Sequence, residues 1–235
     1  MVKLYIDRNN KREYSKYINN EHVLVDDERK VHMEENMIIT ISRQYGSGGS
    51  QVAQILADRM GVWCYDRDIL TIAAERIGNE ELTEDVINDL NYKRNDVASA
   101  GITGVMGMGN IPIYNQMFLE QARIIRKLAN YGSAVFLGRC ADYILKDVEN
   151  CTSVYLYADR DFRENRVKEV YGSTSDTMDK EEKNRADYYN YYTGNQWGDI
   201  NNYDFAINTS KISFEEAADL IYQYAKEKQK KLKEK

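Results

Sequence analysis

The chain has 235 residues, of which 43% are hydrophobic and 11% aromatic, which suits one α/β domain with insertions or one domain with a tail. The net charge of −6 argues against a general nucleic-acid partner, because binding a phosphate backbone needs clustered positive charge. No apolar run approaches about 18 residues and the N-terminus lacks the apolar core of a signal peptide, so we expect a cytoplasmic protein without a membrane partner.

The cysteines and histidines exclude several kinds of site. Cys64, Cys140 and Cys151 lack C-x-x-C spacing and lie in apolar surroundings, which is typical of reduced core residues. Both histidines lie within residues 1–36, a polar segment that we interpret as an appendage with some disorder. A core without histidine disfavours acyl-transfer triads and most catalytic zinc sites. It does not disfavour phosphoryl transfer, where positioning and charge stabilisation provide most of the catalysis.

The first predicted elements are a buried strand, a glycine-rich turn and a helix, in the order that a phosphate-binding loop requires. Isoleucines within residues 38–41 mark the strand, "RQYGSGGS" at 43–50 is the turn, and "SQVAQILADRM" has apolar residues at helical spacing. A Walker A loop, G-x-x-x-x-G-K-[ST], has glycine where this chain has Arg43 and lysine where it has Gly49. The turn is therefore a phosphate cradle that has lost its charge, a cradle whose charge has moved, or only a glycine-rich turn.

The composition of the turn favours phosphate binding. Its glycines let backbone N–H groups approach an anion closely, and the start of the following helix adds partial positive charge. Its last serine stands where the serine or threonine of a P-loop reaches Mg²⁺. The predicted nucleotide-binding residues are Gly46, Ser47, Gly48, Gly49 and Ser50.

The rest of the chain continues the alternation of strands and helices. Further strands are predicted at "VWCYD", "SAVFLG", "CTSVYLYAD" and "NYDFAINTS". Two helices are predicted within residues 66–90, and the last helix begins with a capping box at Ser213 and Glu216. Residues 99–112 are rich in glycine and methionine and indicate a mobile loop or an insertion. Five short strands between helices predict an α/β fold with a parallel sheet covered on both faces and ligands at the carboxyl ends of the strands.

Four blocks of sequence carry a family resemblance. In chain order they are "ITISRQYGSGGSQVAQILADRMGVWCYDRDIL", "VFLGRCADYIL", "YLYADRDFRENRV" and "WGDINNYDFAINTS". Together they resemble the cytidylate kinase-like branch of the nucleoside monophosphate kinases, over residues 37–225. The resemblance implies transfer of the γ-phosphoryl group of ATP to a nucleoside monophosphate, with an acceptor like CMP or dCMP and with ATP and Mg²⁺ as cofactors.

The same resemblance implies a domain layout. It predicts a P-loop NTPase three-layer fold with a five-stranded parallel sheet over residues 37–228. Within this domain it places an NMP-binding insertion at 79–115 and an arginine-bearing helical lid at 159–200. The polar appendage at 1–36 precedes the domain, and a basic tail at 229–235 follows it.

The resemblance also gives roles to polar residues that follow the predicted strands. Arg139 in "GRCAD" resembles the arginine of a Gly-Arg-Asp motif, which implies a ligand of the acceptor phosphate; an arginine that begins a helix and pairs with Asp142 is the alternative. Asp66 and Asp68 resemble the pair that small P-loop kinases use for the water of Mg²⁺ and the acceptor hydroxyl, which makes Asp66 and Ser50 the implied metal residues. Helix capping by Asp66 is the alternative there.

Three arginines fall in the implied lid. Arg163 and Arg166 share one helix face and are implied to close on the phosphates, and Arg185 is implied to be a second lid or acceptor contact. The alternative is that such residues form ordinary i,i+4 surface pairs, Asp159–Arg163 among them. The tyrosines at 188–192 are predicted to pack under the lid rather than to stack on a base.

Two classes of function stay open at this point. The first is an ATP-dependent nucleotide kinase in which Arg43 or a lid arginine supplies the charge that Gly49 lacks, and the two aspartates and Arg139 favour it. The second is a non-catalytic P-loop module that binds a nucleotide or regulates a partner, and the missing lysine favours it. A kinase of another small-molecule acceptor is a third option. The sequence fixes neither the acceptor nor the oligomeric state.

Overall fold

The structure is a computed structural model, and it describes residues 36–66, 69 and 113–234. Three predicted segments lie largely outside the described residues: the appendage except for residue 36, the two helices predicted within 66–90 except for residues 66 and 69, and most of the implied NMP-binding insertion. The described elements are β1 (Ile38–Arg43), α1 (Gly49–Met60), β2 (Trp63–Tyr65), α2 (Ile113–Tyr131), β3 (Ala134–Leu137), α3 (Ala141–Ile144), β4 (Cys151–Tyr157), α4 (Arg160–Tyr171), α5 (Ser175–Thr193), a 3₁₀ helix (Ile200–Asn202), β5 (Phe205–Asn208) and α6 (Phe214–Lys233).

The five strands form one parallel sheet in the order β2-β3-β1-β4-β5, which confirms the predicted sheet. β1 is the central strand, and Ile41 is in register with Leu137 of β3 and Val154 of β4. Because all strands run the same way, their carboxyl ends lie along one edge. The glycine-rich loop, Asp66 and Arg139 all follow strands at that edge, so the fold brings them together.

Helices cover both faces of the sheet. Ile39 and Ile41 of β1 lie in one apolar cluster with Leu56 of α1 and Ile221 of α6. Side chains alternate between the two faces along a strand, so Ser42 points to the opposite face, where α3 packs. The predicted three-layer arrangement of helices, sheet and helices is therefore confirmed.

Aromatic stacking packs α5 against α2. The ring of Phe118 lies 4.1 Å from that of Tyr192 at an interplanar angle of 11°, and Tyr188 and Tyr189 are buried. Tyr188 and Tyr189 of the cluster are thus buried, whereas Tyr191 is 48% exposed. Because α5 itself lies in the implied lid at 159–200, packing of the cluster under the lid stays a prediction. At α6 the predicted capping box is also present, because Ser213 Oγ accepts from the Glu216 amide at 3.1 Å while the Glu216 carboxylate accepts from the Ser213 amide at 2.8 Å.

The three cysteines are reduced, and Cys140 and Cys151 are buried. Within the described ranges, none of the helices combines the length and the apolar character that crossing a bilayer would require.

Candidate active site

The loop between β1 and α1 is a compact turn. Gly46 and Gly48 have φ angles of 82° and 80°, in the left-handed region that strains any residue with a side chain. Ser47 is fully buried, and both its amide and its hydroxyl donate to the carbonyl of Gln44, at 3.3 and 2.9 Å. The sequence "YGSGGS" therefore folds as the tight strand-to-helix turn that its glycines predict.

Neighbouring elements enclose the loop. A Cβ at Gly48 would lie 2.3 Å from the ring of Phe214, and a Cβ at Gly46 would lie 3.0 Å from the carbonyl oxygen of Arg163. On a further side, the hydroxyl of Thr209 donates to the carbonyl of Ser47 at 2.7 Å. These glycines are thus required by the available space as well as by their backbone angles.

The first turn of α1 presents backbone donors at the edge of the sheet. Gly48 caps the helix without a side-chain hydrogen bond, and its carbonyl accepts from the amides of Gln51 and Val52. Within the part of the chain that the structure describes, the amides of Gly49 and Ser50 have no acceptor. Donors of this kind at a helix N-terminus can bind an anion, and phosphate binding at this loop stays a prediction.

Arg43 crosses the loop at Gly49. Arg43 ends β1 and is only 5% exposed. A Cβ at Gly49 would lie 2.7 Å from both Cβ and Cγ of Arg43, closer than atoms of two residues can approach. The stem of Arg43 therefore occupies the space in which the lysine of a Walker A loop would begin its side chain, and a guanidinium lies beside the loop instead.

Three strands bring two arginines and one carboxylate together. Asp66, just after β2, has its Oδ1 at 3.7 Å from Nη2 of Arg43 and at 3.9 Å from Nη2 of Arg139. The side chains of Arg43 and Arg139 are 7% and 1% exposed, whereas that of Asp66 is 33% exposed. The two guanidiniums are thus buried, and the partly exposed carboxylate of Asp66 lies between them and the protein surface. Asp68, the second member of the predicted pair, lies outside the described residues.

Arg139 is held in an unusual turn. Gly138, Arg139 and Cys140 have φ angles of 73°, 60° and 54°, and the amide of Ala141 closes the turn on the carbonyl of Gly138 at 3.0 Å. A left-handed conformation costs about 1–2 kcal/mol for a residue with a side chain. Backbone strain of this kind is common at functional sites, where surrounding contacts maintain it. The turn fixes the point from which the Arg139 side chain leaves the backbone.

The sequence suggests Arg139 as a partner of Asp142, but the carboxylate of Asp142 has other partners. Its carboxylate accepts from Tyr189 Oη at 2.6 Å and from Ser42 Oγ at 3.3 Å, and the residue is 5% exposed. Burial raises the pKa of the Asp142 carboxyl, and the hydrogen bonds from Tyr189 and Ser42 oppose that shift. The carboxylate thus joins β1, α3 and α5. Sequence reasoning missed this network, for which an acidic residue inside the apolar run "CADYIL" was the available signal.

Arg163 contacts the loop and not the surface partner considered for it. The residue is 9% exposed, and its Nη1 donates to the carbonyl of Tyr45 at 3.4 Å. The carboxylate of Asp159 pairs with Lys211 instead. The alternative that Arg163 forms an ordinary surface pair with Asp159 is therefore wrong.

The other two arginines of the implied lid also lie at the loop. Arg185 Nη1 donates to the carbonyl of Arg43 at 3.0 Å. Arg166 hydrogen-bonds the side chain of Gln51 in the first turn of α1, and its guanidinium lies 5.0 Å from the ring centre of Phe214. α4 and α5 thus place three cationic side chains around the glycine-rich loop, and their closure on phosphates stays a prediction.

Glu182 is a loop contact that sequence reasoning did not single out. Its two carboxylate oxygens accept from the amide of Tyr45 at 2.6 Å and from Nε1 of Trp197 at 2.7 Å. The residue stands in the charge-rich run "DKEEKNRADYY", where nothing distinguishes it from exposed neighbours.

The residues implied for Mg²⁺ suit a cation that is shared with phosphates. Ser50 is exposed at the start of α1 and Asp66 is partly exposed beside the loop. The described residues contain no cluster of three or more His, Cys, Asp or Glu side chains that could hold a metal by themselves. Mg²⁺ in kinases is held by one or two carboxylates together with phosphate oxygens and water, so the hydroxyl of Ser50 and the carboxylate of Asp66 fit such a donor set.

The fold and this loop define the class of the protein. A parallel sheet in the order β2-β3-β1-β4-β5, with a glycine loop between β1 and α1, is the fold of P-loop kinases. The family model described as the cytidylate kinase-like family matches residues 38–211. The chain therefore belongs to the cytidylate kinase-like family, and the match includes the loop, Asp66, Arg139 and both α4 and α5.

Solved structures of other proteins are similar to the chain. An uncharacterized protein from Eubacterium ventriosum ATCC 27560 is 32% identical, with 82% of this chain and 99% of that chain covered and a TM-score of 0.61. A gluconokinase from Sinorhizobium meliloti 1021 is 14% identical, with 84% and 93% covered and a TM-score of 0.46. A shikimate kinase from Bacteroides thetaiotaomicron is 14% identical, with 84% and 98% covered and a TM-score of 0.43. No curated protein matches the chain.

Proposed function

We propose that the protein is an ATP-dependent kinase that uses Mg²⁺ and phosphorylates a nucleoside monophosphate, of the CMP or dCMP type in keeping with its family. The observation that carries the proposal is the convergence of Arg43 and Arg139 on Asp66 beside the loop. A module that only binds a nucleotide needs the loop, but it has no need of a second buried arginine at the edge of the next strand. This arrangement therefore favours transfer over binding alone.

The proposal gives each group a task. The amides of Gly46, Gly48, Gly49 and Ser50 would hold the phosphates of ATP, whereas the amide of Ser47 is bonded to the carbonyl of Gln44. The hydroxyl of Ser50 and the carboxylate of Asp66 would hold Mg²⁺. Arg43 stabilises the charge that develops on the equatorial oxygens of the transferring group, because a cradle of neutral amides stabilises it only in part. Arg139 binds the phosphate of the acceptor, whose oxygen attacks the γ-phosphorus while the bond to the bridging oxygen of ADP breaks.

The arginines of α4 and α5 complete this charge distribution. Arg163 donates to the carbonyl of Tyr45 in the loop and Arg185 donates to the carbonyl of Arg43 at the end of β1, so both guanidiniums are held beside the loop. Arg166 lies at the first turn of α1, next to the amides of the loop. In the proposal these three side chains add to the positive potential at the phosphates, in agreement with the lid role that the resemblance implies.

A nucleotide-binding module without transfer is the rival function, and Gly49 is the observation that favours it. A kinase of another small-molecule acceptor also fits, because Arg139 can bind any anionic group at that position. Both rivals share the nucleotide site with the proposed kinase, so only the acceptor reaction separates the three.

A coupled assay of ADP release, over nucleoside monophosphates and other small metabolites with and without Mg²⁺, tests the proposal. We expect turnover with CMP or dCMP that depends on Mg²⁺. Arg139→Ala should raise the acceptor KM and lower kcat, whereas Arg123→Ala, which removes a 72% exposed side chain on α2, should change neither. Turnover with a different acceptor would select the third function.

Thermal melting with MgATP separates the remaining outcomes. A ligand bound only by the native state stabilises it, by about 2.7 kcal/mol at a concentration of 100 Kd. A rise in Tm without turnover on any acceptor would favour the binding module. No rise in Tm at millimolar MgATP would contradict both the kinase and the module.

A further inference from the structure

Two side chains of α5 hold the backbone on both sides of Gln44. The carboxylate of Glu182 accepts from the amide of Tyr45 at 2.6 Å, and Nη1 of Arg185 donates to the carbonyl of Arg43 at 3.0 Å. Residues three apart on a helix share one face, so both side chains reach the loop from the same side. The helix thereby holds the stretch of backbone from which the side chain of Arg43 leaves.

Glu182 is itself fixed at both oxygens. Its Oε1 accepts from Nε1 of Trp197 at 2.7 Å, while its Oε2 accepts from Tyr45. The ring of Trp197 packs edge-on against Tyr155 and Tyr189, at 5.5 and 5.3 Å between ring centroids. Hydrogen bonds to a charged acceptor are about twice as strong as neutral ones. The carboxylate is therefore a rigid support for the amide of Tyr45.

The negative charge of Glu182 is offset locally. Burial raises the pKa of the Tyr155 hydroxyl, the charge of Glu182 raises it further, and Arg163 and Arg185 oppose the shift. One carboxylate and two guanidiniums thus lie around this hydroxyl. Because the positive charges are in excess in this group, a carboxylate close to the loop is compatible with phosphate binding.

The position of Arg43 on a strand makes such a support necessary. A lysine in the first turn of a helix takes its direction from the helix itself. Arg43 ends β1, so the direction of its side chain depends on the backbone where the strand becomes the loop. Among the residues that the structure describes, Glu182, Arg185 and Arg163 each hydrogen-bond this backbone directly.

We propose that Glu182 is a positioning residue, which holds the amide of Tyr45 and thereby directs Arg43 across Gly49 toward the phosphates. This inference rests on the proposed function, in which Arg43 is the cation of the loop. Glu182 acts on the reaction through Arg43 and not by contact with the substrate.

A double-mutant cycle in the full chain tests the coupling. We expect Glu182→Ala to lower kcat by about 10-fold or more with a smaller change in the KM for ATP, since a misplacement of about 1 Å can cost about 10²-fold. Glu182→Gln keeps one acceptor oxygen and should give an intermediate loss. In the Arg43→Ala background, Glu182→Ala should cause little further loss of kcat. Additive losses would overturn the proposal, because they would show that Glu182 acts independently of Arg43.

Hydrogen exchange provides a readout that needs no activity. We expect slow exchange over residues 43–47 in the wild type, faster exchange in Glu182→Ala, and no change in the matched control Glu181→Gln on the same helix. Unchanged exchange in a folded Glu182→Ala or Glu182→Gln protein would overturn the proposal. If no acceptor is phosphorylated, the proposed function fails. The role of Glu182 can still be decided in that case, by hydrogen exchange and by the Arg43/Glu182 double-mutant cycle measured on the affinity for MgATP.

Discussion

The side chain of Arg43 fills the space next to Gly49, because a Cβ at position 49 would lie 2.7 Å from Cβ and Cγ of Arg43. We expect Gly49→Ala to lower the free energy of unfolding by about 1–3 kcal/mol, the usual cost of overpacking a dense site. In the Arg43→Gly background the clash is absent, so the same substitution should cost much less. Urea denaturation of the four proteins measures this difference, and equal costs in both backgrounds would contradict it.

The double variant Arg43→Gly/Gly49→Lys converts "RQYGSGGS" to the Walker A pattern. We expect Gly49→Lys alone to be destabilised and to bind MgATP poorly, since its stem meets Arg43. The double variant should recover stability and MgATP binding, because the lysine stem then enters the space that Arg43 leaves. Calorimetry with MgATP together with melting measures both effects. A single Gly49→Lys variant as stable as the wild type would contradict the prediction.

Arg43→Ala tests whether the charge of the loop resides on the strand. We expect kcat to fall by about 10²-fold or more, the scale of one strong transition-state contact. The affinity for ATP should fall less, because the loop amides and the start of α1 still hold the ground state. Steady-state kinetics and equilibrium binding separate the two quantities. Turnover like that of the wild type would show that another residue carries the charge.

The left-handed turn at Arg139 predicts an order of stability among variants. Arg139→Ala and Arg139→Gly both remove the guanidinium and should raise the acceptor KM alike. Glycine tolerates the φ of 60° without strain, so Arg139→Gly should be more stable than Arg139→Ala by about 1 kcal/mol. Denaturation of the two variants at one pH gives the difference directly. An Arg139→Ala protein that is the more stable of the two would show that this turn stores no strain.

The buried carboxyl of Asp142 predicts a dependence of stability on pH. Burial raises its pKa above the ordinary 3.8, so the folded chain binds more protons than the unfolded chain between the two values. Its contribution to stability is therefore fully present below the unfolded pKa and decreases as pH rises through that window. Relative to Asp142→Asn, the wild type should lose stability from about pH 4 upward and then level off. Denaturation across this range measures the difference, and a constant difference would contradict the prediction.

The fold was predictable because its signals are local. Periodic apolar residues mark the strands, the glycines of residues 46–49 mark the loop, and the capping box at Ser213 marks the start of α6. The family resemblance then implied roles for Arg139 and for the arginines of α4 and α5, which the structure brings to the loop or to Asp66.

The supports of the site were not predictable, because they join residues far apart in the chain. Glu182 and Tyr45 are separated by 137 positions, and Asp142 and Ser42 by 100. Nothing local distinguishes Glu182 from its exposed neighbours in a charged helix. Gly49 was also not explicable from the sequence, which shows only that the lysine is missing. The packing of Arg43 against this position shows why a side chain is excluded there.

The placement of Arg43 also determines which reagents can label this nucleotide site. Affinity labels that carry an aldehyde on the ribose form imines with an amine, and the loop "RQYGSGGS" contains no lysine with which to form one. An α-dicarbonyl condenses with a guanidinium instead, and at this loop that group belongs to Arg43, which is only 5% exposed. Inhibitors that rely on capturing the P-loop lysine of a kinase therefore lack their target group in this loop, whereas compounds that present a planar anion to an arginine retain one.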